Sequence, residues 1–296
     1  EKKNKSNLIE IHNRPNYLRN LKNSLSDRSF VIFFHNDPLT MKGSKKLSDR
    51  KYLLKNCFRI IFNSNWSKKR FLEGMENRFI NSEKLIVIYQ SALKQKIDFK
   101  NKKKEITFVG KLNKSKGYDI FGKAVLGILK KNKNWKVNVI GDEQRDKISF
   151  EHKNLTNFGF LPHHKVLRIY RRSSIAVVCS RWEEPFGRTS LEASAAGCAV
   201  IISNRGGLPE TVTNAIILKK LSVKDLYKAI ENLIINKKLR LNLQKLSNQN
   251  FYLTHSNISK LIDKYRDDKF KINSFFTNKN KQIRILHITN FNERHD

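Results

Sequence analysis

Glu184 and Glu192 stand with seven residues between them in the stretch SRWEEPFGRTSLEASAAGCAVIISNRGGLPE, which runs from 180 to 210. Pro185-Phe186-Gly187 reads as a turn, and Arg188 and Thr189 follow it. Ionised carboxylates only accept hydrogen bonds, so two of them along one rim suit a ligand rich in hydroxyls. The backbone N–H groups of a helix starting beside Gly187 would add a place for an anionic phosphate. A second cluster, Gly110-Lys111 followed by Lys116-Gly117, puts two cations on a short loop. Cations at that spacing suit a diphosphate, because they neutralise charge that builds as it departs.

These side chains need a frame. LEASAA, from 191 to 196, has small side chains and good helix formers, which predicts a helix from Gly187 or Arg188 to a stop at Gly197. SSIAVVCS before it and AVIIS after it read as buried parallel strands. ITFVG leads into Gly110, and WKVNVIGD ends in Gly141-Asp142, where a glycine lets a ligand approach the backbone. LTNFGFLPHHKVLRIYRRS gives a short strand, a turn at Pro162 and a helix headed by His163 and His164, both read as solvated. In the first half LIEIHN, SFVIFFH, FRIIFN and LIVIYQ read as strands. Helices are expected at NYLRNLKNSL, at about 47–56, and after a cap at Ser64 or Asn65. Strands alternating with helices imply an α/β fold of doubly wound parallel sheets, with ligands at the carboxyl ends of the strands. His12 and His35 both fall where a strand hands over to a loop.

Composition narrows the class. The chain has 296 residues, 39% of them hydrophobic, enough for about two domains. No apolar run approaches the length that spans a bilayer. Lys and Arg number 60 against 26 Asp and Glu, a net charge of +34 that attracts polyanions and anionic lipid surfaces. The basic residues are scattered, however, and no aromatic-basic platform accompanies them, so nucleic acid is not the expected partner. Peripheral contact with an anionic membrane is the second reading of that charge. Cys57, Cys179 and Cys198 lack metal-ligand spacing and read as buried thiols of a reducing cytoplasm.

Glu, seven residues, Glu, with Phe-Gly after the first and Glu-Ala spanning the second, resembles the donor motif of glycosyltransferase family 4. The trailing Gly206-Gly207-Leu208-Pro209-Glu210 fits it, as do GKLNKSKGYD from 110 and FHNDPLTMKGS from 34 with FNSNWSKKRFLEGM from 62. The resemblance covers roughly 7–266 and is strongest over 105–212. It implies a GT-B fold of two Rossmann-like domains and retaining transfer of a sugar from a nucleotide diphosphate sugar. The implied acceptor is a saccharide or lipid-linked saccharide of the polysaccharide or lipopolysaccharide type.

By that resemblance Glu184 lies at the transferred sugar, Glu192 binds ribose hydroxyls, and the backbone of Phe186 and Gly187 meets sugar and phosphate. Gly110, Lys111 and Lys116 hold the diphosphate, with Lys111 where Arg is commoner; such a lysine keeps the charge and loses the fork. Gly141, Arg188 and Thr189 complete the donor side, although Arg188 replaces a commoner apolar residue and its role stays open. The loop of 159–162 lies near the base. His35 joins Glu184 and Lys116 as a candidate for the chemistry. No metal or other cofactor is expected, because lysines and backbone amides meet the diphosphate and no Asp-x-Asp pair is present. The rival readings are a basic nucleic-acid binder and a nucleotide-sugar-binding protein without turnover.

The expected organisation is a partial acceptor-side domain at 1–97, a donor domain at 98–248, a crossover helix at 249–266 and a linker at 267–281. The lysine-rich stretch at about 93–104 reads as the join between halves. IRILHIT, within 282–296, resembles the opening strand of a second glycosyltransferase domain. Its alternative is an extension that pairs with the open edge of the first sheet.

Overall fold

The computed structural model describes residues 7–145, 148–274 and 285–288. The chain forms two compact units, Glu1–Gln90 with Ile258–Asp296, and Ser91–Asn257.

In the first unit the strands are β1 (Leu8–His12), β2 (Ser29–Phe34), β3 (Arg59–Phe62) and β4 (Leu85–Val87), with helices α1 (Tyr17–Ser24), α2 (Leu47–Asn56) and α3 (Asn65–Leu72) between them. Each strand is short and apolar and pairs in parallel with its neighbour, since a helix returns the chain each time. Phe34 and Phe62 stack on each other, and Phe71 of α3 meets both at a tilt as part of the core. The Ser64 hydroxyl accepts from Ser67 N at 2.9 Å and starts α3, as its residue type predicts.

The second unit contains β5 (Lys103–Val109), α4 (Tyr118–Lys131), β6 (Lys136–Ile140), β7 (Leu155–Asn157), α5 (His163–Arg172), β8 (Ser173–Val178), α6 (Arg188–Ala195), β9 (Ala199–Ser203), β10 (Ala215–Leu218), α7 (Val223–Ile235) and α8 (Lys237–Gln249). Its strand order is β10-β9-β8-β5-β6-β7, all parallel. The chain leaves β5 towards β6 and β7, then returns to place β8 on the other side of β5. That reversal opens a crevice at the carboxyl ends of β5 and β8, where doubly wound sheets take ligands.

The last helix, α9, spans His255–Ser274, and its residues from Ile258 on belong to the first unit. There Tyr265 OH donates to buried Glu10, and Arg266 Nε and an η nitrogen reach the same carboxylate at 3.0 and 2.9 Å. A last strand, β11 (Ile285–Ile288), pairs in parallel with β1, Leu8 opposite Ile285. Residues 267–274, expected as linker, continue α9 instead, while 275–281 and most of the 282–296 segment lie outside the described residues. The lysine-rich join ends earlier than its composition suggests: Lys103 and Lys104 are exposed residues of β5, and burial begins at Glu105. All three cysteines are buried free thiols, and burial pushes Cys57 and Cys179 up to about 12. Among the described residues no helix is long and apolar enough to cross a membrane.

Candidate functional site

At the crevice of the second unit two loops meet. The first, 110–117, joins β5 to α4. Asn113 organises it: its side-chain oxygen accepts from Lys116 N at 3.0 Å and from the Ser115 hydroxyl at 2.8 Å. The second loop follows β8 and is stitched to the first, because Ser115 O accepts from Arg181 N at 2.9 Å, Trp182 N at 3.1 Å and the Ser180 hydroxyl at 3.1 Å. Arg181 then grips Asp119 with two bonds of 2.6 and 2.8 Å. Those bonds hold the Asp119 carboxyl below its usual range.

Glycines allow the loops to come this close. Gly117 has φ +72°, and a Cβ there would lie 1.9 Å from Cys179 O. Gly206 has φ +55°, and its Cβ would lie 2.2 Å from Glu184 O. Gly207 N donates to that same oxygen at 2.6 Å, so the Gly-Gly turn fixes the backbone that carries Glu184. Gly141 packs equally tightly on Gly110, whose oxygen would be 1.9 Å from an added Cβ.

A cavity of about 210 Å³ results, lined by Phe108, Val109, Gly110, Lys116, Val178, Ser180, Glu184, Gly187, Arg188 and Thr189. Six residues singled out in the sequence therefore share one cavity: Gly110, Lys116, Glu184, Gly187, Arg188 and Thr189. Lys116 Nζ makes an ion pair with Glu184 Oε1 across it. Helix α6 starts at Arg188, after Gly187 at φ +123°, and its first N–H groups sit at the same mouth.

The other donor-side residues are placed differently. Lys111 is exposed on the loop after β5 and outside the lining. Phe186 is buried, so its side chain serves the core beneath the turn. Glu192 is also buried, at 6% exposure, inside α6 rather than on an open rim with Glu184. Its Oε1 lies 3.0 Å from His163 Nε2 and 3.2 Å from an Arg188 η nitrogen. His163, read from sequence as solvated, is thus a partner of the buried carboxylate. The available signal was its place at the head of α5, directly after Pro162.

In the first unit His35 follows β2. Asn13, at φ +59°, accepts from His35 N and Asn36 N at 3.2 Å each, and Asn63 donates to His35 O at 3.0 Å. His35 Nε2 lies 3.1 Å from His12 Nδ1. Burial, with the charge of His12, holds the His35 imidazole down to about 4, so it is neutral at pH 7. His35 Nδ1 is buried without a hydrogen-bond partner among the described residues. Glu10, His12 and His287 offer ligand atoms within 4.8 Å of one another. Arg266 already meets both oxygens of Glu10, so the trio carries no metal assignment.

In a doubly wound sheet, glycines and cations at the switch point suit the binding of an anion. The chain belongs to the family of glycosyl transferases group 1, whose family model matches residues 90–249. Spore coat protein SA of Bacillus subtilis is 25% identical over 250 residues, 71% of this chain and 63% of that protein. An uncharacterized 41.2 kDa protein in the cps region of Klebsiella pneumoniae is 28% identical over 137 residues, 45% of this chain and 37% of that protein. The match thus spans less than two thirds of either relative. Among solved structures, Anabaena HepE in complex with UDP and glucose superposes with a TM-score of 0.69 at 17% identity, covering 88% of this chain and 78% of that one. A glycosyltransferase from Rickettsia africae gives 0.66 at 18% identity, covering 91% and 77%. These likenesses show the fold, a GT-B-like pair of Rossmann-like α/β units.

Proposed function

We propose that this chain carries the donor site of a retaining, family 4 type glycosyltransferase that uses a nucleotide diphosphate sugar. The observation that carries the reading is the single cavity in which Lys116, Glu184, Gly187 and the start of α6 converge. An ammonium and free N–H groups facing one small space can stabilise the charge that develops on a departing diphosphate. Glu184, held from behind by Gly206 and Gly207, would orient the sugar through its hydroxyls. Glu192 would accept the ribose hydroxyls. UDP in the HepE crystal supports a nucleotide as the ligand class. The acceptor proposed is a saccharide or lipid-linked saccharide. The net charge of +34 would favour contact with the anionic face of a cytoplasmic membrane.

The test is release of nucleoside diphosphate from UDP-, GDP- and ADP-glucose by the full chain, with water or an added saccharide hydroxyl taking the glucosyl group and the product anomer read by NMR. Release from one donor, with the anomeric configuration kept and activity surviving EDTA, is expected. No release from any donor, or an inverted product, would overturn the reading.

A further inference from the structure

His163 and Arg188 both address one oxygen of Glu192, Oε1, from two different helices. Arg188 stands one turn before Glu192 on α6. His163 comes from the first turn of α5, which packs against α6 through Val166, Ile169 and Tyr170 against Ala193 and Ala196. A carboxylate as buried as Glu192 needs donors, since burial disfavours an unpaired charge. An ionised carboxylate only accepts, so His163 Nε2 carries the hydrogen.

The terminal torsion of a glutamate is broad and two-fold, so burial alone leaves its two oxygens interchangeable. Two donors on the same oxygen remove that freedom. Among the described residues no hydrogen bond falls on Oε2, which is left to accept from a ligand. We propose that His163 is a positioning residue: with Arg188 it fixes Oε1 of Glu192 and thereby presents Oε2 to the hydroxyls of a ribose. The inference rests on the donor site proposed above. It assigns a role to a histidine whose side chain is 59% exposed and is not among the residues that line the cavity.

The experiment is titration calorimetry of the full chain with UDP, GDP and ADP and with the 2′-deoxy form of whichever binds tightest. The reading is the ratio of the two dissociation constants in the wild type, Glu192→Ala, His163→Ala and His163→Gln. A charge-assisted bond to one hydroxyl predicts a wild-type ribose preference of roughly tenfold or more. Glu192→Ala is expected to abolish that preference. His163→Ala is expected to reduce it to within about threefold of the Glu192→Ala value, while His163→Gln, whose amide N–H has a similar reach, restores it. A purely structural role would weaken both nucleotides alike and leave the ratio unchanged. If Glu192→Ala loses the preference and His163→Ala keeps it, the positioning role is overturned and the ribose role of Glu192 stands. If Glu192→Ala itself keeps it, or no nucleotide binds the wild type, the donor-site reading fails and the inference falls with it.

Discussion

Lys116 and Glu184 form an ion pair across the cavity at the carboxyl ends of β5 and β8. Each comes from the loop after one of two adjacent strands, so the pair spans the switch point of the sheet. Both side chains remain partly exposed, and pairs of that kind contribute only about 0–1 kcal/mol. A diphosphate entering the cavity can therefore take Lys116 as its own partner at small cost. On the proposed donor reading, Glu184 would then be free to accept from a sugar hydroxyl.

Lys116→Ala should slow donor turnover by roughly tenfold to a thousandfold, the range for removing one donor from a developing anion. Initial rates of nucleoside diphosphate release measure this. A wild-type rate would return Lys116 to the solvated surface.

The two glutamates should separate in kinetics. Glu192→Ala is expected to weaken donor binding by about tenfold with a smaller effect on the bound-state rate, as for a contact made equally in ground and transition states. Glu184→Gln is expected to leave binding within about threefold and lower turnover by about a hundredfold. Small and equal effects of both on KM and kcat would contradict these roles.

How much of this was legible in sequence follows from the range of the forces. The turn at Gly187, the start of α6 and the loop of 110–117 depend on local backbone chemistry, and short polar and glycine spacing displays it. Lys103 and Lys104 hid the start of β5 because a charged overhang looks like a linker. Pairing of β5 with β8 and β6 makes it a strand. The contact between His163 and Glu192 joins residues far apart in sequence through the packing of α5 on α6. The place of His163 at the head of α5 is legible locally, but no local pattern names Glu192 as its partner. The role of Gly206 was visible as a motif, but its reason, a backbone approach to Glu184, was not.

Gly206→Ala should lower stability by about 1–3 kcal/mol or more, combining a left-handed conformation with a Cβ 2.2 Å from Glu184 O. Gly74→Ala, at φ +73° with nothing within 4 Å, carries only the conformational part, about 1–2 kcal/mol. Thermal melts should show the larger loss for Gly206→Ala, with reduced donor turnover at temperatures where that variant is still folded. Equal melting temperatures for the two variants would refute the close approach.

Acidification should weaken the first unit in two steps. Burial and the His12 charge hold His35 at about 4 instead of 6.5, so the unfolded chain binds the proton first and stability falls from pH 6.5 to about 4. For Glu10, burial alone would raise the carboxyl. His12 at 3.9 Å and the bonds from Arg266 and Tyr265 outweigh it and hold it at about 2. That contribution is whole above the ordinary 4.5 and is lost as pH falls towards about 2. His35→Gln should flatten the upper limb of a melting-temperature profile and Glu10→Gln the lower one. A profile unchanged by either variant would contradict the assignment.

The most direct measurement is calorimetric titration of the full chain with UDP-, GDP-, ADP- and CMP-sugars at two salt concentrations, beside a DNA duplex. One nucleotide sugar should bind saturably at one site per chain, and Lys116→Ala and Glu192→Ala should each weaken it. No saturable binding to any of the four, together with tight DNA binding that falls steeply with salt, would show that the +34 charge serves a polyanion and that the cavity is not a donor site.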